Sequence, residues 1–154
     1  MIISGELTVE APRETVFDRL QDARRFVSLV EGVQDLTEID PTHYNAVLET
    51  KIAYMRFKFK VAVEVTRSER PNLIEAKIEG SPLGVVGRLS ATTVTSLSEV
   101  AGNTQVSYSV DAAITGKLGS MGQPLLRSKA KEMEAQFANN LRAMFAEEAK
   151  GVVS

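Results

Sequence analysis

Between Val33 and Thr115 the apolar residues of this chain fall on every second position, and after Gly116 they recur every third or fourth. A period of two belongs to strands with one buried and one wet face, and a period near 3.6 belongs to an amphipathic helix. Tyr44, Ala46, Leu48, Thr50 and Ile52 alternate with His43, Asn45, Val47, Glu49 and Lys51. Phe57, Phe59, Val61, Val63 and Val65 form a second inward row, Ile74, Ala76 and Ile78 a third, and Val106, Tyr108, Val110, Ala112 and Ile114 a fourth. The Leu89 to Leu97 segment has no clear phase, and its faces are left unassigned. Turn residues punctuate these rows at Asp40-Pro41, Arg70-Pro71-Asn72, Ser81-Pro82-Leu83-Gly84 and Ala101-Gly102-Asn103. Ahead of them, Ile3, Leu7 and Val9 suit an opening strand. Pro12 then starts a short helix that carries Val16, Phe17 and Leu20 on one face, and a second short helix runs from Ala23 to Val30, before Gly32. The order is strand, two short helices, about six strands and a long helix. That is an α+β chain in one domain over residues 1–154.

A curved antiparallel sheet with one apolar face needs a cover, and the terminal helix is the large element available. Leu126, Ala130, Met133, Phe137, Leu141 and Met144 recur along it at steps of three and four, while Arg127, Lys131, Glu134 and Arg142 are assigned to the opposite, wet side. Gly116, Gly119 and Gly122 lead into it through Pro124. Their spacing matches neither the dinucleotide nor the Walker pattern, so close backbone approach is the better use for them. A helix in two parts, bent near Gly122 to Pro124, is expected.

Composition removes several functions. The net charge of −2 gives no electrostatic ground for nucleic acid. With no Cys and a single His, disulfides, thiolate chemistry and most zinc sites are excluded; neither metal nor cofactor is expected. The N-terminus has no apolar stretch of signal-peptide length, and no run approaches the ~20 apolar residues of a membrane span. A cytoplasmic protein is expected, peripheral at the inner membrane face if it meets a membrane. The inward rows hold no ionisable acid or base of the kind that proton transfer needs; their polar side chains are Tyr44, Thr50 and Tyr108. His43 and Glu49 lie out of phase on wet faces. No catalytic residue is assigned.

Large Phe57, Phe59 and Tyr108 share the inward rows with small Ala46, Thr50, Ala76 and Ala112. Such a face either fills completely or leaves an apolar cavity with a few hydroxyls. The expectation adopted is a cavity of about 300–1,000 Å³, the usual size of a small-molecule site. Its walls would be Leu48, Phe57, Phe59, Tyr108 and Ile114, with Met121, Leu125 and Met133 from the helix side. Tyr44, Thr50 or Tyr108 would orient a polar group of the ligand. Two unusually apolar loops, Ile52-Ala53-Tyr54-Met55 and Leu83-Gly84-Val85-Val86-Gly87, would form the entrance together with Gly119, Gly122 and Pro124.

The opening SGELTVEAPRETVFDRLQD, the segment EGVQDLTEID and above all ITGKLGSMGQPLLRSKAKEMEAQFANNL resemble the carbon monoxide dehydrogenase CoxG family of the START-like (SRPBCC) helix-grip superfamily. The last block is similar to a V/I-x-G-K/R-L-x-x-x-G-x-x-L pattern leading into the terminal helix. The resemblance implies a seven-stranded antiparallel sheet gripping a C-terminal helix over a hydrophobic cavity. It also implies service to a molybdenum-containing dehydrogenase or hydroxylase, membrane attachment and binding of isoprenoid quinones. The chain departs from the family in ending at Ser154, where many members continue into a tail, so tail-mediated anchoring is not expected. Its Ser81 to Gly87 loop is also less glycine-rich. The reading is a non-catalytic carrier of a lipophilic molecule, a quinone or a lipid. The alternatives are a polyketide cyclase or dehydratase-like enzyme and an assembly factor for a molybdenum hydroxylase.

Overall fold

A computed structural model describes residues 1–149. Strand β1 (Ile2–Val9) leads through Pro12 into α1 (Arg13–Gln21) and α2 (Ala23–Ser28). Then follow β2 (Val33–Asp40), β3 (His43–Ile52), β4 (Met55–Glu69), β5 (Leu73–Pro82), β6 (Gly87–Val100) and β7 (Asn103–Thr115). A single turn of helix, α3 (Gly116–Gly119), precedes the long α4 (Gln123–Ala149). The seven strands form one antiparallel sheet in the order β1-β7-β6-β5-β4-β3-β2. Strands β2 to β7 follow one another as a meander, and β1 adds to the far edge with Leu7 opposite Val106.

The local chemistry explains the breaks. Asp22 ends α1 and caps α2: its carboxylate accepts the backbone N–H groups of Arg24 and Arg25, two of the donors that a helix start leaves unpaired. The buried Thr104 hydroxyl donates to the Ala11 carbonyl at 2.8 Å, fixing the chain where it leaves β1 for α1. Between α3 and α4 the backbone passes through Gly122 at φ 96°, a left-handed conformation that costs other residues more than glycine. The expected two-part helix is therefore found, with the break at Ser120 to Gly122.

The inward rows read from the alternation are those observed. The unassigned strand also resolves: Leu89, Ala91, Thr93, Thr95 and Leu97 of β6 share the inward face with Ile114, Ala112, Val110, Tyr108 and Val106 of β7, against which they are paired in that order. Two separate apolar clusters hold the sheet to its helices. The larger joins Leu7, Val9, Leu97 and Val106 of the sheet to Val16, Phe17, Leu20 and Leu29 and to Leu141 and Phe145 near the end of α4. The smaller, at the opposite end, joins Ile52, Phe57 and Phe59 to Leu118 of α3. Among the described residues no helix is long and apolar enough to cross a membrane.

Candidate ligand-binding site

The concave face of the sheet changes character along its length. At the smaller cluster the side chains close on one another: Phe57 and Phe59 are 3% and 4% exposed, and Leu118 of α3 is 2% exposed against them. Leu48, Val61, Val85, Ile114, Met121 and Leu125 pack around this group. At the larger cluster Leu141 and Phe145 close the other end. Between the two, the inward residues Val63, Ala76, Ile78, Ala91, Thr93, Val110 and Ala112 are only half-buried, as are Ala130 and Met133 on α4. Alanines and threonines supply too little volume there to reach the helix. This middle stretch is the candidate site.

A polar pair borders it. The Tyr108 hydroxyl donates to the Glu134 carboxylate, joining β7 to α4. Gly5 of β1, opposite Tyr108 in the sheet, makes room for the pair: a Cβ at Gly5 would lie 2.4 Å from the tyrosine oxygen and 3.0 Å from the carboxylate. Burial, reinforced by the neighbouring Glu134, pushes the Tyr108 pKa up to about 12, against a smaller opposing pull from Arg142. Glu134 is thus not on the wet side of the helix as expected. It stands four residues after Ala130 and three before Phe137, which are neighbouring positions on one helical face. Arg127 is also drawn in, half-buried with its guanidinium donating to the Ile2 carbonyl, whereas Lys131 is exposed.

Of the residues expected as walls, Leu48, Phe57, Phe59, Ile114, Met121 and Leu125 do come together, but as a packed cluster that closes one end of the face. Tyr108 lies apart, against the larger cluster, and Met133 belongs to neither. Thr50 is half-buried on the same inward row as Leu48 and Ile52. Tyr44 is elsewhere: its hydroxyl donates to the Pro41 carbonyl at 2.8 Å, and the ring borders a depression of about 80 Å³ with Asp22, Arg24, Leu36 and Glu38. Burial raises its pKa as well. A second depression, of about 240 Å³, is lined mainly by residues of the sheet's outer face, His43, Asn45, Ala62, Glu64, Lys77 and Glu79, and reaches Tyr44 and Val63 at the sheet's β3–β4 side.

The three segments expected at the entrance do meet. The Lys117 N–H donates to the Val86 carbonyl at 2.8 Å, Gly87 bridges to Gly116, and Val85 and Met121 touch the smaller cluster. Their roles divide, however. Ile52 is 6% exposed and part of the cluster, and Gly119 packs on the Ile114 backbone, so neither lines an opening. Gly122 is half-buried at the helix break and Pro124 is exposed. Tyr54, Met55, Leu83 and Val86 stand out in solvent, with Tyr54 96% and Val86 80% exposed. Leu118, to which the periodicity assigned no role, plugs this end; its signal is its place four residues after the inward Ile114.

A family model matches residues 5–146 of this fold. The chain belongs to the carbon monoxide dehydrogenase CoxG family. Solved structures with the same START-like helix-grip architecture surround this CoxG-family protein. One is a conserved protein from Geobacillus kaustophilus, 24% identical, with a TM-score of 0.87 and 96% of each chain covered. The Zhui aromatase/cyclase from a Streptomyces species is 12% identical at a TM-score of 0.72, covering 97% of this chain and 95% of that one. A START superfamily protein from Mycobacterium smegmatis is 13% identical at a TM-score of 0.71, covering 95% and 97%. No curated protein matches the chain by sequence. At these identities the likeness of the solved structures is one of fold.

Proposed function

We propose that the protein is a non-catalytic carrier of a lipophilic small molecule with a hydrogen-bonding head, held on the half-buried middle of the concave face beneath α4. One observation carries this reading: apolar inward side chains in mid-sheet keep solvent access while both ends of the same face are packed. Apolar burial supplies most of the affinity, at ~25 cal/mol per Å² before the costs of ordering. The head group is placed near Tyr108 and Glu134, where the carboxylate accepts a hydrogen bond from a ligand hydroxyl; the Thr93 and Thr95 hydroxyls on the same face serve a ligand carbonyl. An isoprenoid quinone, whose two redox forms present carbonyls and hydroxyls respectively, suits such a site. The family's name points to a carbon monoxide dehydrogenase as partner.

Titration with a short-chain quinone, followed by tyrosine fluorescence or NMR shifts, tests the reading. Saturable binding is expected, weakened at least about tenfold in Ala112→Phe, a ring placed in mid-sheet; a tenfold change corresponds to about 1.4 kcal/mol. Saturable binding untouched by that substitution, or no binding at all, overturns the site.

The Tyr108–Glu134 pair supports a second reading, an enzyme of the cyclase type, because it sets an ionisable group beside a hydroxyl where a ligand would lie. Mass spectrometry of ligand before and after incubation separates the two: a carrier returns it unchanged.

A further inference from the structure

Two rows of residues, one on β7 and one on α4, run from the open middle of the concave face to its packed end. On β7 the inward positions pass from the half-buried Ala112 and Val110 through Tyr108 to the buried Val106. On α4 they pass from Ala130 and Met133 through Glu134 to Phe137 and the buried Leu141. The Tyr108–Glu134 pair therefore stands at the inner end of the open stretch, where both elements change from accessible to packed. The inward rows of the sheet hold no Asp, Glu, Lys, Arg or His, so the half-buried Glu134 brings a charge to an otherwise uncharged face. The cations of α4 are engaged or turned away: Arg127 donates to the Ile2 carbonyl, Lys129 pairs with Glu132 at 2.8 Å, and Arg142 is exposed. Glu134 enters no ion pair among the described residues; there the Tyr108 hydroxyl donates to its Oε2, and its Oε1 has no donor.

A carboxylate accepts hydrogen bonds and donates none. A ligand hydroxyl that meets Glu134 forms a charge-assisted bond, roughly twice as strong as a neutral one. An ether or carbonyl oxygen in the same place sets lone pairs against lone pairs, and a ligand carboxylate sets two negative charges together in a partly desolvated site. Tyr108 does not relieve this, because its pKa of about 12 keeps its proton in place and that proton is already given to Glu134. We propose that Glu134 sets the specificity of the site, selecting neutral lipophilic alcohols and phenols over the same bodies that end in an ether, a carbonyl or a carboxylate. The ligand then lies with its head towards the larger cluster and its apolar body towards Leu125 and the smaller one. Carbonyl groups are left to the uncharged Thr93 and Thr95 hydroxyls. This specificity rests on the carrier reading for the place of the ligand and goes beyond it in naming the head.

The test is binding of 4-hexylphenol, its methyl ether 4-hexylanisole and 4-hexylbenzoate to the whole chain at pH 7, by isothermal titration calorimetry. These probes share an apolar body and differ in whether the head donates, only accepts or carries a negative charge. The phenol is expected to bind about tenfold or more tightly than the ether, and the benzoate more weakly than either. Glu134→Gln keeps the size of the side chain and removes its charge; the phenol-to-ether ratio is expected to fall below about threefold and the benzoate to gain about tenfold. A substitution that merely loosened α4 would weaken all the probes together, whereas loss of selection changes the ratios between them. Equal affinities for phenol and ether, or ratios unchanged in Glu134→Gln, overturn the proposal; if Ala112→Phe still weakens every probe, the carrier reading survives that result. Benzoate bound more tightly than phenol overturns the proposal as well and assigns the head to the guanidinium of Arg127 or Arg142. No saturable binding of any probe overturns both readings.

Discussion

The two ends of the concave face are built from similar residues and organised for different tasks. At the larger cluster, residues far apart in sequence close on one another: Val9 of β1, Phe17 of α1 and Leu141 of α4 are all fully buried. The Arg19 guanidinium of α1 donates to the Glu148 carboxylate at the end of α4, with Nε to Oε1 at 3.0 Å, and the Asn140 side-chain amide donates to the Leu29 carbonyl at the end of α2. At the smaller cluster a four-residue helix supplies the plug, and exposed apolar turns stand just outside it. One end ties the chain together, and the other is a thin closure beside solvent. Stability and access are divided along a single sheet.

The largest expected effect tests that division directly. Leu141→Ala is expected to cost about 3–5 kcal/mol by denaturant unfolding, because nothing around so enclosed a site collapses easily into the space. Leu118→Ala is expected to cost less, about 2–3 kcal/mol, because α3 is a single turn able to settle inward. Equal losses would mean that the two ends are equally structural, and the comparison would fail.

A middle-sized effect is expected at Gly5. The added methyl of Gly5→Ala would lie well inside contact distance of the Tyr108 oxygen, so the Tyr108–Glu134 pair must shift. Overpacking of this kind costs about 1–3 kcal/mol. The expected signature is a lowered unfolding midpoint together with altered chemical shifts for Tyr108. A variant as stable as the parent would show that the pair moves freely, and would weaken its part in fixing α4 on the sheet.

How much of this was legible in the sequence depends on what each residue's neighbours could disclose. Strands β3, β4, β5 and β7 alternate mostly apolar with mostly polar or charged residues, so their phase, the sheet and the covering helix follow from period alone. Strand β6 hid its phase because its inward row is mostly Ala91, Thr93 and Thr95, while Val94 points outward and is well exposed. For the site, the strand rows were right but the depth was not: Phe57 and Phe59 were expected as cavity walls and Ile52 at the entrance, and all three are buried in one packed cluster instead. Burial there depends on Leu118, delivered by a turn of helix whose direction the glycines around it leave undetermined. Glu134 was placed by its charge on the wet side, although its spacing from Ala130 and Phe137 put it on the apolar stripe. A half-buried partner, the Tyr108 hydroxyl, reverses that assignment, and such a partner is visible only once β7 and α4 are brought together.

A smaller effect is expected from Tyr108→Phe, about 1 kcal/mol of stability, the ordinary net worth of one hydrogen bond. Under the carrier reading the same change also removes part of the polar border, so affinity for a quinone falls by more than stability does. Loss of stability with no change in affinity would confine Tyr108 to holding the helix.

The finest test is a pH titration of the tyrosines at alkaline pH by ultraviolet absorbance. Folding lifts the Tyr108 pKa from 10.0 to about 12, first through burial and then through the hydrogen bond to Glu134. A group whose folded pKa is raised binds its proton longer in the native state than in the unfolded one. The stability it contributes is therefore fully present below pH 10, and it declines as the pH rises through the native value near 12. Glu134→Gln keeps the size of the side chain and removes its charge, so the tyrosinate step near pH 12 is expected to move down, but not all the way to 10, because burial remains. A step that stays near 12 in that variant would assign the shift to burial alone. It would leave the helix–sheet contact at this point without the electrostatic coupling that sets it apart from both apolar ends.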